Sequence, residues 1–105
     1  MKRADFIQLK PEKFIYCGKT YTNERYLSKD GKYLITSDNG FHYCSIFAAD
    51  ADGTAKNITA ELCYKNNPAS YPIYSLSEAI KVLSESNINT EYKIIVHESQ
   101  YKKRA

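Results

Sequence analysis

The chain has 105 residues, 43% of them apolar and 26% charged, with 15 Lys and Arg against 12 Asp and Glu for a net charge of +3. One domain of that size can bury a core without staples, and the mild charge tolerates an acidic partner without demanding one. No apolar run approaches the 18 or so residues of a membrane span, and no apolar stretch follows Met1-Lys2-Arg3-Ala4-Asp5, so no secretory signal is read and a cytoplasmic protein is expected.

Three cysteines, Cys17, Cys44 and Cys63, cannot form a closed disulfide set, which fits that compartment; Asn57-Ile58-Thr59 is then no glycosylation acceptor. Ten tyrosines and no tryptophan stand out. Tyrosine favours strands, and it also favours binding surfaces, because its ring and hydroxyl cost little entropy to order.

In chain order, Phe14-Ile15-Tyr16-Cys17 and Thr20-Tyr21-Thr22 flank a turn at Gly18-Lys19. Asp30-Gly31, Asn39-Gly40 and Asp52-Gly53 are turn dipeptides that take positive φ readily. Between them lie Tyr33-Leu34-Ile35-Thr36 and Phe41-His42-Tyr43-Cys44-Ser45-Ile46-Phe47, both rich in strand formers. After the third turn, Ile58, Ala60, Leu62 and Tyr64 alternate with Asn57, Thr59, Glu61 and Cys63, which predicts another strand.

Pro68 and Pro72 interrupt the pattern. Ser75-Leu76-Ser77-Glu78 is a capping box, and Leu76, Ala79, Ile80 and Leu83 follow as an apolar stripe, so a helix is predicted over about 75–87, ending at Asn87. Tyr92-Lys93-Ile94-Ile95-Val96-His97 predicts a final strand, placed centrally by its nearly continuous apolar character. The expected fold is α+β: a mainly antiparallel meander of five or six strands, one helix on one face and a C-terminal strand. Residues 1–5 and 100–105 are expected to be loose tails. A single helix covers one face of a sheet, so the other is expected to meet water, the N-terminal segment or a partner, including a second copy.

Candidate chemistry is sparse. His42, Cys44 and Cys63 could form a metal set, but the paired short spacings of tetrahedral sites are absent. Cys44 with His42 or His97 could form a thiol nucleophile and base, but no accompanying acid or glycine-rich elbow is present. The segment around Asp50-Ala51-Asp52-Gly53 would place Thr59 where a calcium loop needs its bidentate glutamate, so a hairpin turn is read instead. No catalytic residue, metal or cofactor is assigned.

Tyr16, Lys19, Tyr21, Arg25, Tyr26, Lys29, Lys32 and Tyr33 interleave rings and cations, with Tyr21, Arg25, Tyr26, Lys32 and Tyr33 as the candidate binding set. Such residues anchor protein interfaces, and they also bind single-stranded nucleic acid. Lys2-Arg3 and Lys102-Lys103-Arg104 add basic ends. The expectation is a non-enzymatic binding protein acting by stoichiometric contact with another protein, as inhibitors encoded by phages and mobile elements do, anti-CRISPR proteins among them. Nucleic-acid binding by the same surface is the alternative.

The stretch Ser45-Ile46-Phe47-Ala48-Ala49-Asp50-Ala51-Asp52-Gly53, a following strand, and Ser75-Leu76-Ser77-Glu78-Ala79-Ile80 together resemble HicB-type antitoxin domains. Those have a strand, an acidic-Gly turn, a second strand and a helix opening on a Leu-x-Glu-Ala run. The likeness covers under half the chain, the first forty residues have no counterpart, and no site residue is carried across.

Overall fold

Local hydrogen bonding from Asp and Asn side chains sets most of the turns. In the computed structural model, which describes residues 1–38, 43–86 and 92–96, Asp30 Oδ1 accepts from the Lys32 amide at 3.0 Å and Asp52 Oδ1 from the Thr54 amide at 3.0 Å. Asn57 Oδ1 and Asn67 Oδ1 do the same two residues on, for Thr59 at 3.0 Å and Ala69 at 3.1 Å. Each supplies a backbone donor with a partner that neither helix nor ladder provides there.

Between these turns the described residues form one antiparallel sheet of six strands: β1 (Phe6–Gln8), β2 (Glu12–Tyr16), β3 (Lys19–Ser28), β4 (Tyr33–Asp38), β5 (Tyr43–Ala49) and β6 (Ala55–Asn57). The α+β, mainly antiparallel architecture expected from the sequence is present. Strand β3 is long enough to pair β2 along 19–23 and β1 along 26–28, so the first two strands lie end to end beside it. From β3 onward the order is a meander. The first hairpin turns at Cys17-Gly18, one residue earlier than the sequence suggests. Cys17 at φ 51° and Gly18 at φ 76° are both left-handed, the requirement of a two-residue type I′ turn. Gly31 and Gly53 take positive φ at the two Asp-Gly turns, and Asn39-Gly40 lies outside the described residues.

Among the described residues two α-helices are present where one was expected: α1 (Thr59–Asn66) and α2 (Leu76–Glu85). Helix α2 begins at the predicted N-cap, with Ser75 Oγ accepting from the Glu78 amide at 3.2 Å, but the capping box is half formed, because Glu78 Oε2 accepts from the Tyr74 amide at 3.1 Å and not from that of Ser75. Its last helical residue is Glu85, and Asn87 lies outside the described residues. The strand expected from alternation at 58–64 is replaced by β6 and α1. Ladder pairing ends at Asn57, after which the Thr59 hydroxyl takes the Ile46 amide at 2.8 Å. Ala60, Glu61 and Leu62 are good helix formers, and burial of Thr59, Leu62 and Cys63 follows helical spacing.

Both helices pack on the face formed by Phe6, Tyr33, Ile35, Cys44, Ile46 and Ala48, with Leu62, Cys63, Ile73, Ala79 and Leu83 completing that core. The opposite face carries Leu9, Leu27 and Leu34, with Phe47, Ala49 and Ala55 partly buried beside them. Residues 92–96 cover this second cluster. They are not a central strand: no ladder includes them, and they cross two turns instead. The Ile94 amide donates to the Gly31 carbonyl at 2.6 Å and the Ile95 amide to the Gly53 carbonyl at 3.2 Å. Ile94 is 8% exposed, whereas Ile95 is 72% exposed. Closely spaced apolar residues thus mark an irregular segment with Ile94 turned inward. The segment sits tightly, since a Cβ at Gly53 would meet Ile95 Cδ1 at 2.5 Å.

The first five residues are tied down as well. Arg3–Asp5 forms a 3₁₀ turn, the Arg3 guanidinium lies 4.8 Å from the Tyr26 ring centroid, and the Met1 ammonium group donates to Ser84 Oγ at 3.0 Å. Residues 100–105 lie outside the described residues.

Two stability measurements check this arrangement. Ile94→Ala should cost about 2 kcal/mol in denaturant unfolding, the lower end for an aliphatic truncation because the second cluster is small. For Asp30, burial pushes its carboxyl up, but the Ser28 hydroxyl, the Lys32 amide and the Lys32 charge together hold it below the ordinary value. A lowered folded pKa gives stability that is present above about pH 4 and is lost as pH falls through the folded value. Asp30→Asn should therefore lower stability at pH 7 and flatten the acid limb of the stability profile.

Candidate functional site: a tyrosine surface beside the helices

The five residues of the sequence-predicted binding set do not share one surface. Alternation along β3 puts Tyr21 and Arg25 on the Leu27 face and Tyr26 on the helix face. Arg25 is engaged within the sheet: its Nη2 donates to the Lys10 carbonyl at 3.1 Å, and its Nη1 lies 3.8 Å from Glu12 Oε2. Tyr26 packs partly buried against the helix-side core beneath Arg3; burial, then the Glu24 charge, push its pKa up. Tyr33 is core, at 7% exposed, with burial and then the Asp30 charge raising its pKa. Lys32 sits in the β3–β4 turn. Tyr16 and Tyr21 do come together, with centroids 6.4 Å apart near the β2–β3 hairpin, and Lys19 beside them is exposed.

The larger aromatic surface lies elsewhere. Tyr43 opens β5, Tyr64 sits on α1, and Tyr71 and Tyr74 belong to the connection between the helices. All four are between 43% and 61% exposed. They form two ring pairs, Tyr43 with Tyr74 at 5.9 Å between centroids and Tyr64 with Tyr71 at 5.5 Å. Tilted rings at those separations lie within the favourable range for aromatic pairs.

Backbone contacts fix this surface. Pro68–Ser70 makes a 3₁₀ turn after α1, opened by Asn67, and the Tyr71-Pro72 bond is cis. The Cys44 amide then donates to the Ile73 carbonyl at 2.8 Å, so the connection docks on the edge of β5, and Ile73 is fully buried. The two residues flanking the Pro72-Ile73 dipeptide are thereby turned outward as tyrosines. None of these four belongs to the predicted set, which consists of rings interleaved with cations. The available signal was Tyr71-Pro72-Ile73-Tyr74, one buried aliphatic between tyrosines in a stretch too proline-rich to be a strand.

The charges nearby are mixed. Exposed Glu61 and Lys65 lie on α1, and exposed Glu78, Lys81 and Glu85 lie on α2. Three carboxylates against two ammonium groups give no net attraction for phosphate.

The thiol candidates separate by burial. Cys44 and Cys63 lie in the helix-side core, and burial pushes the Cys44 thiol up, against a smaller opposing effect of the Ser37 hydrogen bond. That is opposite to the shift an activated nucleophile needs. His42 and His97 lie outside the described residues, so neither the Cys-His pairing nor the His42-Cys44-Cys63 set is described. Among the described residues no group of three or more His, Cys, Asp or Glu could hold a metal ion, and no helix is long and apolar enough to cross a membrane.

No family model, no curated protein and no solved structure matches this chain. The second strand in the HicB likeness is here the three residues of β6, followed at once by α1.

Iodoacetamide labelling of the native protein checks the thiol placement. Cys17, exposed at the hairpin tip, should alkylate fast, while Cys44 and Cys63 label only on unfolding. Rapid native labelling of Cys44 would contradict its burial.

Proposed function

We propose that the chain is a non-enzymatic binding domain that contacts another protein through the surface of Tyr43, Tyr64, Tyr71 and Tyr74. The observation that carries this reading is the four exposed rings, paired and held by the docked 67–75 connection, amid charges of both signs. Tyrosine is enriched at protein interfaces because a rigid ring with a polar tip gives large contact area at low entropy cost. Preorganised rings reduce the ordering cost of association further. A stoichiometric role, as inhibitor or accessory factor, suits a domain that offers one such surface.

Nucleic-acid binding has less support. Phosphate recognition needs cations beside the rings. Arg25 is held by Lys10 and Glu12, and Tyr26 and Tyr33 face the helices, which leaves Lys19 beside Tyr16 and Tyr21 as what supports this reading.

The test is affinity capture from the native host with the wild-type chain and with Tyr64→Ala/Tyr74→Ala, which removes one ring of each pair. A stoichiometric partner protein should co-purify with the first and bind the variant at least tenfold more weakly, about 1.4 kcal/mol. Full retention of the partner would put the interface elsewhere. Labelled single-stranded and duplex DNA and RNA form the second arm. Binding that falls steeply with salt there would favour the nucleic-acid alternative.

A further inference from the structure

Two depressions meet on the tyrosine surface and share Pro72. One, of about 420 Å³, is lined by Tyr43, Tyr71, Pro72 and Ala60 and by the polar Ser45, Asn57 and Thr59, and among the described residues no charged side chain lines it. The other, of about 360 Å³, runs along α2, with Pro72 and Val82 as its apolar part and Tyr74, Glu78, Lys81 and Glu85 around them. The Tyr43–Tyr74 ring pair joins the two, since Tyr43 lines the first and Tyr74 the second.

Resting on the interface reading above, we infer that these depressions receive one extended segment of the partner protein, which places an uncharged aromatic side chain in the first and a lysine or arginine side chain in the second.

The chemistry of each lining sets its occupant. A charge entering the first depression would lose hydration and find no opposite charge among the described residues, whereas an uncharged ring would lie against Tyr43, Tyr71, Pro72 and Ala60. In the second, two carboxylates face one ammonium group, a net charge of one negative, and no ion pair within 4.0 Å joins Lys81 to Glu78 or Glu85. Glu78 Oε2 is held at the groove by the Tyr74 amide at 3.1 Å. A cation there meets carboxylates and can lie over the Tyr74 ring, and arginine does both best because its planar fork stacks and hydrogen-bonds at once.

The full chain, labelled with nitrogen-15, would be titrated with the acetylated amides of phenylalanine, arginine and glutamate. The phenylalanine probe should move the Ala60 and Ile73 amides, the arginine probe the Tyr74 and Val82 amides, and the glutamate probe neither set. Ala60→Leu, which fills the first depression, should weaken the phenylalanine response about tenfold and leave the arginine response intact. Glu78→Gln/Glu85→Gln should weaken the arginine response by a similar factor and spare the phenylalanine one. Equal responses to all three probes, or none up to their solubility, would overturn the inference. Loss of partner capture by Tyr64→Ala/Tyr74→Ala alongside silent probes would keep the interface and overturn the segment chemistry alone; undiminished capture would overturn both.

Discussion

A sheet that is apolar on both faces must be covered twice, and the rest of this structure is arranged around that constraint. Strand β5 shows it most plainly: Cys44, Ile46 and Ala48 are buried beneath the helices, while Phe47 and Ala49 pack partly buried on the other side. The helices close one face. The other is closed by residues 92–96, whose successive amides donate to the Gly31 and Gly53 carbonyls while Ile94 fills the space between Leu9, Leu27 and Leu34. The two Asp-Gly turns thus act twice, reversing the chain and receiving the segment. Positive φ is part of that fit, because any side chain at Gly53 would collide with Ile95.

Closing the second face moves the expected point of contact. An open sheet surface of rings and cations would have put binding on β3 and β4. With Tyr33 in the core, Tyr26 half-buried under Arg3 and Arg25 bonded to Lys10, that surface has little left to offer. The exposed rings gather where α1, the 67–75 connection and the start of β5 meet. Tyr43 lies at the opposite end of β5 from the Asp52-Gly53 turn, so the aromatic surface and the segment that seals the second face occupy different ends of the sheet.

How much of this was legible in the sequence depended on how local the signal was. The Asp-Gly turns, the Ser75 N-cap and the stripe on α2 rest on a few adjacent residues, and all appear where local chemistry puts them. Helix α1 was misread because Ile58, Ala60, Leu62 and Tyr64 satisfy a period of two, while the buried residues are Thr59, Leu62 and Cys63. What decides between the readings is tertiary: the Thr59 hydroxyl caps Ile46 and ends the ladder. The apolar run at 94–96 was misread for a related reason, since backbone bonds to two distant turns set its course. The tyrosine surface was invisible because its members come from three elements and gather only when Ile73 docks against Cys44.

Amide hydrogen exchange at Ile94 measures whether the chain closes the second face of its own sheet. The Ile94 amide, bonded to Gly31 beneath a buried side chain, should exchange only with opening of the second cluster, slowed by orders of magnitude relative to an unstructured peptide. Exchange at the unstructured rate would mean that the segment does not cover the face, and the Leu9–Leu27–Leu34 surface would replace the tyrosines as the place to look for a partner.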